Sequence, residues 1–311
     1  MIATKTRHRL VTRSDFDGLV CAVLMKDMNL IDDIMFVHPK DMQDGKVDLD
    51  ANDITTNLPY VESVHLAFDH HSSEVLRNQR QRDNHIIDPH APSAARVVYD
   101  YYGGADRFPS VSAEMMAAVD KADSAQYCQT EVLQPIGWTL LNFLMDARTG
   151  LGRFKDFQIS NYNLMMQLID CCRNHTIAEI LALPDVEERV DFYFAQEPEF
   201  KAQILSCATV YDNLVVLDLR EPIIHAGNRF MVYALFPQCN ISIHMMWGLR
   251  QQNTVMATGK SIFNRTSKTN IGELMLKYGG GGHEAAGTCQ VDNDRAEQVL
   301  AELISQINAD G

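Results

Sequence analysis

Short apolar runs separated by polar turns and longer apolar stretches fill the first hundred residues. Arg9–Thr12 reads as a strand, and residues 18–26 (Gly-Leu-Val-Cys-Ala-Val-Leu-Met-Lys), just beyond an acidic turn, are apolar on most sides and long enough for a buried helix. Further strands are expected at Ile34–His38, Asp53–Asn57 and Ser63–Phe68. Strands alternating with helices imply an α/β fold with a mainly parallel sheet, whose functional residues gather at the carboxyl ends of the strands. On that arrangement Asp15, Asp17, Asn57, Asp69 and His70 project from one edge.

Helical patterns follow at Ser93–Tyr102 and Ser112–Asp120, and helices dominate from Leu133 to about Phe194. The composition then shifts. Leu214–Leu219, Arg229–Leu235 and Ile241–Trp247 read as strands, Ile271–Tyr278 as a helix, and residues near Thr288–Val291 as a strand before a closing helix at Arg295–Ile307. These patterns predict an N-terminal domain over 1–186, a connecting helix over 187–209 and a smaller C-terminal α/β domain over 210–311.

Bulk composition narrows the function. A net charge of −14 argues against a large basic surface for duplex DNA or an anionic membrane. Seven cysteines without a framework spacing suggest reduced thiols. The first eight residues lack a signal-peptide apolar region, and no run approaches the ~18 apolar residues of a membrane span. The expectation is a soluble cytoplasmic protein.

Three segments carry candidate chemistry. Asp69-His70-His71 ends an apolar run, and a carboxylate with two imidazoles at a strand mouth suits a transition metal better than Ca²⁺. Ser14-Asp15-Phe16-Asp17-Gly18 lies upstream; one Asp is explained as a helix N-cap, two less readily. Gly279-Gly280-Gly281-Gly282-His283-Glu284-Ala285-Ala286-Gly287 lies near the far end. Its backbone N–H groups suit a phosphate, while the bland alternative is a helix C-cap loop.

In this order the three segments make the chain resemble the DHH phosphoesterase superfamily, which includes RecJ-type exonucleases, nanoRNases, pAp phosphatases, exopolyphosphatases and family II pyrophosphatases. The glycine run resembles the phosphate-binding motif of the DHH-associated domain. The resemblance implies a two-metal site, usually Mn²⁺ with Mg²⁺ or Co²⁺ as substitutes, in a cleft between the domains. It implies Asp15, Asp17, Asp69 and His70 at that site, with His71 orienting it or meeting phosphate. Asp123 follows from Asp123-Ser124-Ala125-Gln126-Tyr127, which is similar to the family's Asp-Thr-Gly-x-Phe pattern; Asp120, one helical turn earlier, is the rival. Gly280, Gly281, Gly282, His283 and Arg265 are the expected substrate contacts.

Two positions depart from the family pattern. Arg13 stands where many members carry a metal-binding His, and Asn57 where a bridging Asp is expected, with Asp53 four residues earlier. An amide oxygen coordinates one cation but does not bridge two as a carboxylate does. Either only the site of Asp17, His70 and Asp123 persists, with Arg13 supplying positive charge where the first ion would sit and bracing a substrate phosphate, or Asp53 bridges and the site is complete.

The resemblance implies a metal-dependent phosphoesterase acting on a small phosphate ester or anhydride: a short single-stranded oligoribonucleotide, pAp or a polyphosphate. A catalytically degenerate nucleotide or phosphate binder is the alternative, and a homodimer is compatible with either. Polyphosphate calls for a basic track that the acidic composition does not offer, which favours a nucleotide.

Overall fold

A computed structural model of the chain describes residues 7–311 except 79, 155, 221 and 222, and all side chains in that range except those of 72, 73 and 76. Residues 1–6, most of the stretch read for a leader, lie outside the described residues. Contacts group the chain into two compact units. The first takes residues up to Gln126 and Ile136–Asp191, the second Tyr127–Pro135 and Phe192–Gly311. The division falls inside the 24-residue helix Pro184–Cys207.

The first unit is built on five parallel strands, β1 (His8–Thr12), β2 (Ile31–Phe36), β3 (Asp53–Thr56), β4 (Leu66–Asp69) and β5 (His85–Ile87), in the order β2-β1-β3-β4-β5. The α/β class with a parallel N-terminal sheet is therefore borne out. β5 was not expected, because its three residues are too few for a periodic signal. The helix Phe16–Asp27 is buried along Phe16–Met25 and packs against the helices Ala94–Tyr101, Ala113–Asp123 and Asn161–Asn174. With neighbours on several sides it has no polar face, which is why its sequence is apolar almost throughout.

The second unit contains a mixed six-stranded sheet of β6 (Ala208–Tyr211), β7 (Leu214–Asp218), β8 (Ile241–Trp247), β9 (Thr254–Lys260), β10 (Gly281–His283) and β11 (Ala286–Val291), ordered β10-β11-β9-β8-β7-β6. Its core joins Ile241, Ile243, Met245 and Met256 of the sheet to Val299, Leu303 and Ile307 of the helix Ala296–Asp310. The expected strand at Arg229–Leu235 is instead a short helix, Met231–Leu235. Phe230 to Ala234 are all buried, so no alternation marks the period, and the Asn228 side-chain oxygen accepts from Phe230 N (3.1 Å) as the chain turns. All seven cysteines are free. Among the described residues no helix is long and apolar enough to cross a membrane.

Candidate metal centre

The strand register of the first unit sets out the edge on which the polar residues meet. Thr12 pairs with Thr56 and Thr56 with Phe68, so Arg13, Asn57 and Asp69 follow one another across the carboxyl ends of β1, β3 and β4. The Thr56 hydroxyl donates to Thr12 Oγ1 at 2.7 Å, tying the first two ends together. Asn57 holds φ +56°, a conformation Asn tolerates better than most residues, and its N–H donates to Phe68 O. Gly18 lets the following helix start against this edge: a Cβ there would lie 2.0 Å from the Arg13 carbonyl oxygen. Asp15 caps that helix by accepting from Gly18 N at 3.0 Å, as the capping reading of one Asp expected.

Asp17 lies in the first turn of that helix and is only 2% exposed. Its carboxylate accepts from Ala94 N (3.0 Å) and Ala95 N (2.7 Å), at the start of the helix Ala94–Tyr101, where unpaired amides and the helix dipole suit an anion. His70 Nδ1 lies 3.1 Å from the Ala91 carbonyl oxygen, and its Nε2 lies 2.8 Å from Asp123 Oδ2. Asp17, His70 and Asp123 each offer one ligand atom, and these atoms lie within 4.8 Å of one another.

The remaining expected residues divide. Asp69 accepts from His70 N and from His71 Nδ1 (2.7 Å) and so orients the second imidazole. Asp120 is occupied elsewhere, accepting from Ser93 Oγ (2.8 Å) and from Arg96 Nε (3.0 Å) and Nη2 (2.5 Å). Asp53 is not brought to the cluster. It begins β3, at the opposite end from Asn57, and pairs with Arg9 at 2.7 Å. The reading in which Asp53 bridges two ions is therefore corrected: it is the first residue of β3, at the far end of the strand from the edge where Asp17, His70 and Asp123 meet. Asp15 pairs with Arg13 (Nε to Oδ2, 2.9 Å) and accepts from Asn57 Nδ2 (3.3 Å). In the second unit, Gly281, Gly282 and His283 form β10, paired with β11, and Gly280 leads into it. Arg265 lies on an exposed loop, where its Nε donates to the Ile262 carbonyl.

The electrostatics favour a cation. Burial, then the neighbouring Asp123 charge, lifts the Asp17 carboxyl to about 8. Burial also raises Asp15, against the pull of Arg13. For His70 burial acts downward, but Asp123 and then Asp17 outweigh it and raise the imidazole to about 9. Burial likewise works upward on Asp123, yet His70 and His71 bring it below the usual carboxylate range. Two carboxylates and a pinned imidazole are an oxygen–nitrogen donor set of the kind that holds Mn²⁺, Zn²⁺ or Mg²⁺. Two buried acceptors nearby, Asp69 Oδ2 and Asn57 Oδ1, have no hydrogen-bond partner among the described residues. The residues thus fit a divalent ion.

Sequence reasoning missed several contributors. The Ala91 carbonyl and the Ala94 and Ala95 amides are backbone groups that no side-chain pattern reveals. Arg148, half-exposed and held by Asp146 (2.7 Å), places its charge near Asp15 and Asp123. It lies far from every motif, and only its position in the fold identifies it. Ala125 holds φ +51° at the place where the family pattern has Gly.

Comparison with solved structures gives a pGpG-specific phosphodiesterase, PggH from Vibrio cholerae. It is 65% identical over 98% of this chain and 100% of its own, with a TM-score of 0.86. RecJ from Thermus thermophilus in complex with Mn²⁺ shares the fold at 14% identity and a TM-score of 0.56, over 98% of this chain and 52% of RecJ. The same RecJ with Mg²⁺ gives a TM-score of 0.51 at 14% identity, over 98% and 50% of the two chains. No protein-family model matches, and no curated protein matches.

Proposed function

The chain belongs to the DHH phosphoesterase superfamily, and from that premise we propose that it is a divalent-metal-dependent phosphodiesterase whose substrate is the linear dinucleotide pGpG. The observation that carries the substrate is the 65% identity to a pGpG-specific phosphodiesterase across 98% of the chain. The acidic composition agrees, since a dinucleotide needs no basic track.

Asp17, His70 and Asp123 would hold the ion, with Mn²⁺ the favoured species. When bound, the ion supplies Lewis acidity and lowers the pKa of a water. The Ala91 carbonyl fixes the His70 tautomer so that Nε2 faces the carboxylates, as outer partners of metal-binding imidazoles commonly do. The amides of Ala94 and Ala95 hold Asp17 in place. His71, oriented by Asp69, is assigned to the substrate phosphate. Arg265, Gly280, Gly281, Gly282 and His283 of the second unit are assigned to further phosphate contacts, and the protein to the cytoplasm. In the reaction a water oxygen bonds to the internal phosphorus and the bond to the 3′-oxygen breaks. That oxygen takes a proton, and two 5′-monophosphates are released.

The test is product analysis with Mn²⁺ on pGpG, pAp, other short RNA dinucleotides, pyrophosphate and long-chain polyphosphate, with His70→Ala alongside. Preferential conversion of pGpG to GMP, lost in His70→Ala, is expected. Preference for another substrate would overturn the assignment, and tight pGpG binding without turnover would replace it with the binding-only reading.

A further inference from the structure

Asp15 and Asp17 are two residues apart, yet the structure commits them to different tasks. Asp17 faces His70 and Asp123. Asp15 is already taken up by protein donors. Oδ1 accepts from Gly18 N (3.0 Å) and Asn57 Nδ2 (3.3 Å), and Oδ2 lies 2.9 Å from Arg13 Nε and 3.5 Å from Asn57 Nδ2. Both carboxylate oxygens of Asp15 thus already face protein donors: a guanidinium, an amide N–H and a backbone N–H.

Asn57 is the residue type this arrangement requires. Its amide donates to Asp15, whereas an aspartate there would set a second carboxylate against the first at the same distance. Arg13 contacts Asp15 through Nε, and its two terminal nitrogens have no hydrogen-bond partner among the described residues. The side chain is 35% exposed, so that end of the fork reaches solvent at the strand edge that carries the cluster. Arg148 adds a second positive charge acting on Asp15 and Asp123.

We propose that the centre holds a single divalent ion on Asp17, His70 and Asp123, and that Asp15 and Asn57 are not ligands but positioning residues that seat the Arg13 guanidinium as a fixed cation for the substrate phosphate. The inference rests on the proposed metal-dependent reading of the same cluster. A guanidinium is charged at every working pH and offers a planar pair of donors that matches two phosphate oxygens. It does not activate water as a metal does, so Arg13 binds and orients phosphate, and activation of water is what the ion would supply when bound.

The experiment uses the full chain and two readouts that need no turnover. Bound Mn²⁺ is counted by equilibrium dialysis, with electron paramagnetic resonance to distinguish an isolated ion from a coupled pair. Inorganic phosphate binding is measured by calorimetry, with and without Mn²⁺. Wild type is expected to hold one isolated Mn²⁺. Asp15→Asn is expected to keep that ion, and Asp17→Asn to lose it. Arg13→Ala is expected to weaken phosphate about ten- to a hundred-fold at unchanged Mn²⁺ content. Arg13→Lys should recover little, because the fork is lost. Two coupled ions in wild type would overturn the proposal and leave the phosphodiesterase reading standing, as would loss of Mn²⁺ in a folded Asp15→Asn protein. Absence of any bound Mn²⁺ would overturn both.

Discussion

His70 turns Nδ1 to the Ala91 carbonyl oxygen at 3.1 Å, which leaves Nε2 directed at the carboxylate side of the cluster. With Asp17 at about 8 and His70 at about 9, the metal-free chain holds protons where an ion would sit. The contribution of Asp17 to stability is fully present below its unfolded value of 3.8 and is lost as pH rises through about 8. That of His70 is fully present below 6.5 and is lost through about 9. The melting temperature of the metal-free chain is therefore expected to fall between pH 7 and 9. Over the same window Mn²⁺ affinity is expected to rise, since binding displaces these protons. Calorimetry in buffers of different ionisation enthalpy checks this; a binding heat independent of buffer would contradict it.

Asp120 and Asp123 differ by one helical turn and should separate cleanly. Asp123→Asn is expected to abolish Mn²⁺ retention and to lower kcat/KM by about 10²-fold or more, the scale at which even the outer partners of metal ligands are felt. Asp120→Asn breaks the Arg96 and Ser93 contacts, and is expected to cost about 1–2 kcal/mol of stability while Mn²⁺ content stays unchanged. Chemical denaturation and metal analysis of both variants decide it; loss of metal in Asp120→Asn would reverse the assignment.

The glycine run makes a graded prediction. A Cβ at Gly280 would lie 2.1 Å from Thr288 O and 2.7 Å from Cys289 Cα, whereas at Gly281 the nearest atom is Leu276 Cδ2 at 3.9 Å. Gly280→Ala is expected to cost about 1–3 kcal/mol, and Gly281→Ala far less. Comparable melting temperatures for the two variants would count against the packing seen between β11 and the residues leading into β10.

Ala125 offers a stabilising change. At φ +51° an L-residue carries about 1–2 kcal/mol of backbone strain, a gain partly offset in glycine by the greater entropy loss on folding. Ala125→Gly is expected to gain about 0.5–1 kcal/mol, read as a higher denaturation midpoint, with Mn²⁺ content unchanged. A lower midpoint would show that the Ala125 methyl group contributes more than the strain costs.

The sequence alone determined the class of fold and the outline of the chemistry. Strand length, the turn residues and the long apolar helix carry the parallel sheet, because each rests on local periodicity. The Asp69-His70-His71 triplet and the acidic turn were legible because they sit at strand ends, where side chains from distant segments converge. Only the tertiary structure decided between residues that local rules treat alike. Asp120 and Asp123 share a helix, and Asp53 and Asn57 flank one strand, yet in each pair one residue alone lies at the cluster. Arg148, the Ala91 carbonyl and the Ala94 and Ala95 amides reach the centre through long-range packing, and the buried run Phe230–Ala234 carries no alternation that would tell helix from strand. Local pattern fixes which residue types are available at an edge; the fold decides which of them face one another.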